Sequence, residues 1–309
     1  MKSKSRLALL ILIMMVLLAA CGGGQGTEQQ PQTETKTTEE NQEASTDEFL
    51  IGVIPALTEG NYEVPMKKLE TLLTESLGRP VKVTTYPDYN GVVEALNFGH
   101  IQMAYLGPAT YVEANHQSQA QAIITQLIDG VPYYHSYIIT QADAPWNTLD
   151  ELLADVDKVS FAFGDVGSTS GSLVPSYELK NRGIWQDENT SKFKEMRYTG
   201  SHDATGLAVQ DKHVDAGAID SAYFKKLIKD GKLDESKFKV IWESDKLYQY
   251  PWAVSAKVDQ ETIKKLQDTF VSIKDKEILD GFGASEFIVA SDEDYEPIRK
   301  VMKEMGRLK

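Results

Sequence analysis

From Phe49 onward the chain alternates short apolar strands with amphipathic helices, and nothing else in the sequence constrains its fold as tightly. Residues 49–54 read as a strand stopped by Pro55. Apolar positions 66, 69, 72, 73 and 77 then recur at helical spacing until Gly78. Residues 81–86 alternate as a strand, and Asp88 is placed to cap a helix over 89–98 that Gly99 closes. Strands follow at 101–106, 122–127 and 134–140, with Pro108 suited to the first turn of an intervening helix. The rhythm then repeats, with strands at 159–163, 193–198, 214–219 and 240–242. Helices at 149–153, about 170–181, 203–210 and 223–229 lie among them. A strand at 252–256 and helices near 260–273 and 294–305 complete the chain. This pattern predicts an α/β fold with mostly parallel sheets. Two such groups predict two lobes. Residues 49–142 and 247–309 form lobe 1, and residues 143–246 are inserted as lobe 2. The chain crosses near Thr140 and Tyr248, which would form a two-segment hinge. A single continuous sheet is the alternative.

The N-terminus reads as an address. Lys2, Lys4 and Arg6 precede an unbroken apolar run, Leu7–Leu18, which is shorter than the roughly 20 residues a membrane span needs. Residues 1–20 are therefore expected to be a secretory signal, with an N-terminal anchor helix as the alternative. Leu18-Ala19-Ala20-Cys21 resembles the bacterial lipobox, whose cysteine is lipidated, and Cys21 is the only cysteine of the 309 residues. Lipidation there would hold the protein to the outer face of the cell membrane, since each buried methylene gains about 0.8 kcal/mol. Residues 21–48 lack aromatic and branched aliphatic side chains, and they read as a flexible acidic tether.

A net charge of −14 argues against a nucleic-acid partner, because a phosphate backbone demands a basic face. A lone cysteine forms neither an internal disulfide nor a thiolate cluster, and the five histidines show no metal-ligand spacing. No metal or cofactor is expected, and nothing calls for more than a monomer.

The chemistry concentrates at strand-to-helix junctions. Gly164-Asp165-Val166-Gly167-Ser168-Thr169-Ser170-Gly171-Ser172 follows one strand and opens a helix. N–H groups at a helix start, with hydroxyls beside them, favour an oxyanion without adding charge. The GK[ST] lysine of a P-loop is absent. Gly200-Ser201-His202-Asp203 occupies the same place one unit later, and His202 offers a hydrogen bond and, if protonated, a charge. Tyr89 stands at a third junction. Ordinary helix capping is the bland alternative for each. All three lie at the carboxyl ends of strands, where open α/β sheets bind ligands.

Ser168-Thr169-Ser170-Gly171 with Leu173-Val174-Pro175, then Gly200-Ser201-His202, Asp88-Tyr89-Asn90-Gly91 and the ending Phe287-Ile288-Val289-Ala290-Ser291, resemble the phosphonate-binding proteins of bacterial ABC transporters. Phosphate and phosphite binders belong to the same wider family. The resemblance runs from about Phe49 to the C-terminus. It implies a type II-like periplasmic-binding-protein fold that closes two lobes on a ligand in the cleft. It also implies a membrane permease, with its ATPase, as partner. Residue by residue, the oxyanion ligands become Tyr89, Tyr134, Ser168, Thr169, Ser170 and His202, with Tyr105, Asp220 and Tyr250 as further candidates.

The chain departs from the family where aminoethylphosphonate binders place two acids against the ligand's ammonium. Those positions here are Ala222 and Tyr250. A buried ammonium without a partner costs several kcal/mol, on the order of what buried charges generally cost. Phosphate, phosphite or a small alkylphosphonate is therefore expected over aminoethylphosphonate. Tyr250 and Trp252 suggest a smaller or more apolar wall, with hinge packing as the alternative. Asp220 would accept the proton of a monoanion, stand in for a missing acid, or simply cap the helix of Tyr223. An enzyme is not expected, because a serine-dependent phosphate-ester hydrolase would need an oriented third group that the sequence does not supply. A receptor presenting its ligand to a membrane sensor would look the same in sequence.

Overall fold

The computed structural model describes residues 48–58 and 63–308. The signal, Cys21 and nearly all of the tether lie outside the described residues. In the first half, β1 (Phe49–Val53), α1 (Glu63–Leu77), β2 (Val81–Thr85), α2 (Tyr89–Phe98), β3 (Met103–Tyr105), α3 (Pro108–Ser118) and β4 (Gln121–Leu127) alternate. Then come β5 (Tyr133–Tyr134), β6 (Ser136–Gln141), α4 (Leu149–Ala154), β7 (Ser160–Phe163), α5 (Val174–Asn181), β8 (Trp185–Asp187), β9 (Thr190–Ser191) and β10 (Glu195–Tyr198). The chain continues through α6 (His202–Gln210), β11 (Ala216–Asp220), α7 (Ser221–Lys229), β12 (Phe238–Glu243), β13 (Leu247–Tyr248) and β14 (Pro251–Val254). It ends with α8 (Gln260–Ser272), α9 (Lys276–Gly281), β15 (Glu286–Val289) and α10 (Glu296–Glu304).

Two sheets organise these elements. Lobe 1 is built on the six-stranded sheet β15-β4-β14-β3-β1-β2, and lobe 2 on the five-stranded sheet β10-β7-β11-β6-β12. β1 has only Leu50 partly exposed, as a strand covered on both faces should. α2 packs Val92, Val93 and Leu96 onto the lobe 1 core. Asp88 accepts from Gly91 N–H at 2.8 Å to start it, and Gly99 ends it at φ 79°, where a side chain would strain. A separate cluster around Phe161, Phe163, Leu179 and Trp185 fills one side of the lobe 2 sheet.

Three expectations need correction. The sheets are mixed rather than mostly parallel: β14 runs against β3 and β4, and β6 against β11 and β12. β6 and β14 are the strands by which the chain enters each lobe from the crossings, so they run opposite to the strands that end there. The expected boundary after residue 142 also moves, because β6 pairs within the second sheet. The first crossing is therefore at β5, which pairs antiparallel with β13 of the return crossing, Tyr134 facing Leu247. Finally, α9 and β15 appear where the spacing predicts no element. α10 adds a link between lobes: it packs on α3, while Glu304 meets the Tyr177 hydroxyl and Arg307 Nη1 donates to Val166 O at 3.1 Å.

Candidate functional site

β7 ends at Phe163, and the loop that follows is shaped by two glycines. Gly164 N–H donates to Gly171 O at 2.8 Å. A Cβ on Gly171 would stand 2.9 Å from Ser168 Oγ and 3.2 Å from Gly164 Cα, so only glycine lets the two strands of the loop approach. Ser168 Oγ accepts from Gly171 N–H at 3.0 Å, which leaves its own hydrogen to donate elsewhere. The expected helix from Ser170 begins instead as a π turn over Thr169–Leu173, leading into α5. Such wide turns recur at functional sites. Ser136 Oγ, at the start of β6, donates to Ser170 O at 2.6 Å and pins the turn to the sheet. Ser170 Oγ is buried without a hydrogen-bond partner.

Thr169 serves the other lobe. Its Oγ1 accepts from Ala109 N–H at 2.8 Å, in the first turn of α3, whose own N-cap is Gly107 and supplies no side chain. The hydroxyl therefore caps a lobe 1 helix from lobe 2. Tyr89 approaches the same loop from α2: a Cβ on Gly167 would lie 3.1 Å from Tyr89 Cβ.

Gly200, at φ 85°, turns the chain from β10 into α6, and Ser201 caps that helix through Ala204 N–H. His202 is 1% exposed, and burial pushes its pKa down to about 4, so it is neutral rather than a source of charge. Its tautomer follows from its partners. Asp220 N–H donates to Nδ1 at 3.3 Å, so Nε2 carries the hydrogen and donates to Tyr250 Oη at 3.2 Å.

Asp220 ends β11 and is fully buried. Its Oδ1 caps α7, accepting from Ala222 N–H at 2.6 Å and Tyr223 N–H at 3.1 Å, while Oδ2 has no hydrogen-bond partner. Burial lifts its carboxyl to about 7, against the pull of those N–H groups and of the Tyr250 hydroxyl. Capping and an available oxygen thus coexist in one side chain.

Aromatic rings close the rest. Tyr250 lies 5.6 Å from Tyr105, 5.5 Å from Tyr134 and 5.7 Å from Tyr223, ring centre to ring centre. Gln126 Nε2 donates to Tyr105 Oη at 2.9 Å, which turns that phenol into the back wall of the site. Tyr134 sits on the crossing ladder with its hydroxyl buried and without a hydrogen-bond partner. Burial, and then the Asp220 carboxyl, push its pKa well up, so it remains a donor. Trp252 stands behind this wall: its ring lies 4.9 Å from that of Tyr105, and it packs in the lobe 1 core against Phe270 and Phe282.

Sequence alone does not mark the residues that hold the lobes together. Asp203 Oδ1 and Oδ2 accept from Thr58 N–H at 3.0 and 3.1 Å, and Oδ2 also takes the Thr58 hydroxyl. Ser201 Oγ donates to Oδ1 at 2.6 Å, and His202 N–H reaches Ala56 O at 3.0 Å. An acid in the first turn of α6 is visible in sequence, but its partner 145 residues away is not. Tyr89, Tyr105, Tyr134, Ser168, Thr169, Ser170, His202, Asp220 and Tyr250 are thus gathered between the lobes, each at most 2% exposed. This cradle contains hydroxyls, a neutral imidazole and one carboxyl, and no lysine or arginine.

Known binding proteins resemble this chain in sequence and in fold. The phosphonates-binding periplasmic protein of Escherichia coli is 29% identical over 277 residues, 87% of this chain and 80% of that protein. The phosphate-import protein PhnD of Mycolicibacterium smegmatis is 29% identical over 237 residues, 74% of this chain and 72% of its own. A crystal structure of a binding-protein component of an ABC phosphonate transporter from Pseudomonas aeruginosa superposes with a TM-score of 0.76 at 25% identity. That superposition covers 85% of this chain and 87% of the other, and the fold is the type II periplasmic-binding-protein fold. Residues 51–295 match the family described as the periplasmic phosphonate substrate-binding protein of ABC transporters, and the chain belongs to that family of extracytoplasmic binding proteins.

Proposed function

We propose that the protein captures a phosphorus oxyanion between its lobes and hands it to the permease of an ABC importer. The observation that carries this reading is the pair of fully buried hydroxyls, Tyr134 Oη and Ser170 Oγ, that face each other without completing a hydrogen bond beside a neutral His202. Buried polar groups are nearly always satisfied, so hydroxyls left over in a sealed cradle mark where a ligand's acceptors go. Neutral donors suit a small, strongly hydrated anion, since they replace its water shell without placing a fixed charge in the cleft. Tyr134, Ser168 and Ser170 donate to it, Tyr89 and Thr169 line it, and Tyr105 and Tyr250 back it, with the Nε2–H of His202 holding the Tyr250 hydroxyl in place. Asp220 Oδ2 accepts the proton of a monoanionic form.

The lobes are the two sheets with their helices, hinged at β5 and β13. Closure follows because a ligand touching both lobes binds the closed form better than the open one. The protein works as a monomer, held to the membrane by lipid on Cys21.

Calorimetric titration of phosphate-free protein with phosphate, phosphite, methylphosphonate, aminoethylphosphonate and sulfate tests the reading. Tight binding of a phosphorus oxyanion with little response to sulfate is the expected result. Failure of every phosphorus ligand would overturn it.

A further inference from the structure

The C-terminal arm is rooted in lobe 1 and finishes on lobe 2. Tyr295, just before α10, donates its hydroxyl to Gln249 O at 3.0 Å, and its ring meets that of Tyr248 edge-on at 5.6 Å. The arm therefore starts at the return crossing. Asp292 accepts from the Tyr111 hydroxyl at 2.9 Å and pairs with Arg299, whose Nη1 also donates to Asn115 Oδ1 at 3.2 Å, so α3 holds the first turns. Ile298 and Met302 are buried in the lobe 1 core. Met305 packs both on that core and on the cluster of lobe 2, and Glu304 takes the hydroxyl of Tyr177 on α5.

The last turn aims an arginine. Gly306, at φ 72°, reverses the helix end: its N–H donates to Lys303 O at 3.0 Å, and Arg307 N–H returns to Met302 O at 2.9 Å. Arg307 is thereby turned towards the loop after β7, where its Nη1 donates to Val166 O at 3.1 Å. Residues 165–168 of that loop form a turn that Ser168 N–H closes on Asp165 O at 2.9 Å. The Val166–Gly167 peptide is its central unit. Its N–H donates to Asp165 Oδ1 at 2.7 Å, so Asp165 fixes one side of the peptide plane from within the loop and Arg307 fixes the other from lobe 1. With glycine third in the turn, flipping that plane to the alternative turn type meets no steric penalty. Gly167 nonetheless keeps a negative φ, which is the unflipped form. The residue that a flip would re-aim is Ser168.

We propose that Arg307 is a positioning residue of the oxyanion site: from the end of α10 it holds the Val166–Gly167 peptide, and through it Ser168, in the binding arrangement once the lobes have closed. Arg307 belongs to lobe 1 and Val166 to lobe 2, so the contact forms with closure and is lost on opening. It acts without touching the ligand. The inference rests on the cradle and the closure proposed above.

Calorimetry and stopped-flow binding rates of the full-length, phosphate-free protein test it, with methylphosphonate and phosphate as ligands and urea unfolding of the ligand-free protein alongside. Arg307→Ala should weaken binding by about five- to tenfold and leave the order of the two ligands unchanged. The loss should lie in faster dissociation, because the contact forms only after the ligand is enclosed. The ligand-free urea midpoint should not move, since the open form does not make the contact. Tyr177→Phe, which frees Glu304, should show a smaller loss of the same kind. Unchanged affinity in Arg307→Ala would overturn the proposal. So would a loss confined to association, or one matched by a fall in the ligand-free midpoint, which marks a brace for folding rather than for binding. In each of those cases binding by the unmodified protein locates the failure in the arm. If the unmodified protein takes neither ligand, the cradle reading falls and this one with it.

Discussion

Asp203 of lobe 2 grips Thr58 of lobe 1 through both its N–H and its hydroxyl. Neither residue belongs to the cradle, yet Asp203 directly follows His202 in α6. Burial alone would raise the carboxyl's pKa, but hydrogen bonds from Ser201 and from Thr58 hold it below the usual range. The pair thus ties α6 to the segment after β1, and in the closure proposed above it acts as a latch.

Asp203→Ala should weaken oxyanion binding by about 1–3 kcal/mol, the range for hydrogen bonds to a charged group. The order of preference among ligands should not change, because the latch does not touch them. Thr58→Val, which keeps the N–H, should show a smaller loss. Calorimetry together with small-angle scattering of the ligand-loaded protein checks this. Unchanged affinity and unchanged compactness in both variants would refute the latch.

Tyr134→Phe and Ser170→Ala separate binding from folding. Each removes a buried hydroxyl that has no hydrogen-bond partner, so thermal stability should fall by less than about 0.5 kcal/mol or even rise. Affinity should drop about tenfold for each. A matching loss of stability in denaturant titrations would mean that the hydroxyls are structural.

His202 and Asp220 have opposite linkage to pH. His202 titrates near 4 when folded, against an ordinary value of 6.5, so the unfolded chain takes up its proton first and stability falls as pH drops from about 6.5 to 4. Asp220 titrates near 7 when folded, against an ordinary value of 3.8, so stability from this group is greatest below 3.8 and is lost as pH rises towards 7. Over the shared window the two slopes cancel. Asp220→Asn should therefore expose an acid-side loss of about 3 kcal/mol from His202, and His202→Gln the reverse slope. Urea midpoints measured from pH 4 to 7.5 decide it, and parallel curves for wild type and both variants would contradict the assignment.

Gly171→Ala tests the loop. Its Cβ would meet Ser168 Oγ and the Gly164 backbone, and backbone cannot step aside as a side chain can. A loss of about 1–3 kcal/mol is expected, with weakened binding. A fully stable variant with native affinity would show that the loop tolerates a wider spacing.

Cys21→Ser should move the protein from the membrane fraction to the soluble extracytoplasmic fraction while leaving ligand affinity unchanged. Retention in the membrane fraction would argue for an anchor other than lipid on that cysteine.

Local signals are legible in the sequence. The Asp88 cap, the Gly99 stop, Pro108 at its helix start and the hydroxyl run after β7 are decisions made within a few residues, and local chemistry is sufficient for them. The two lobes are also legible, because strand and helix periodicities need only a short window. Strand direction is not: β6 and β14 have the same apolar pattern whichever way they run, and only their entry from the crossings sets it. The roles of Thr169 and His202 are likewise out of reach. A hydroxyl reads the same whether it faces a ligand or caps Ala109 in the other lobe, and an imidazole is charged or neutral according to the burial around it. Chain-local chemistry named the residues; packing between segments distant in sequence decided which way they face and what charge they carry.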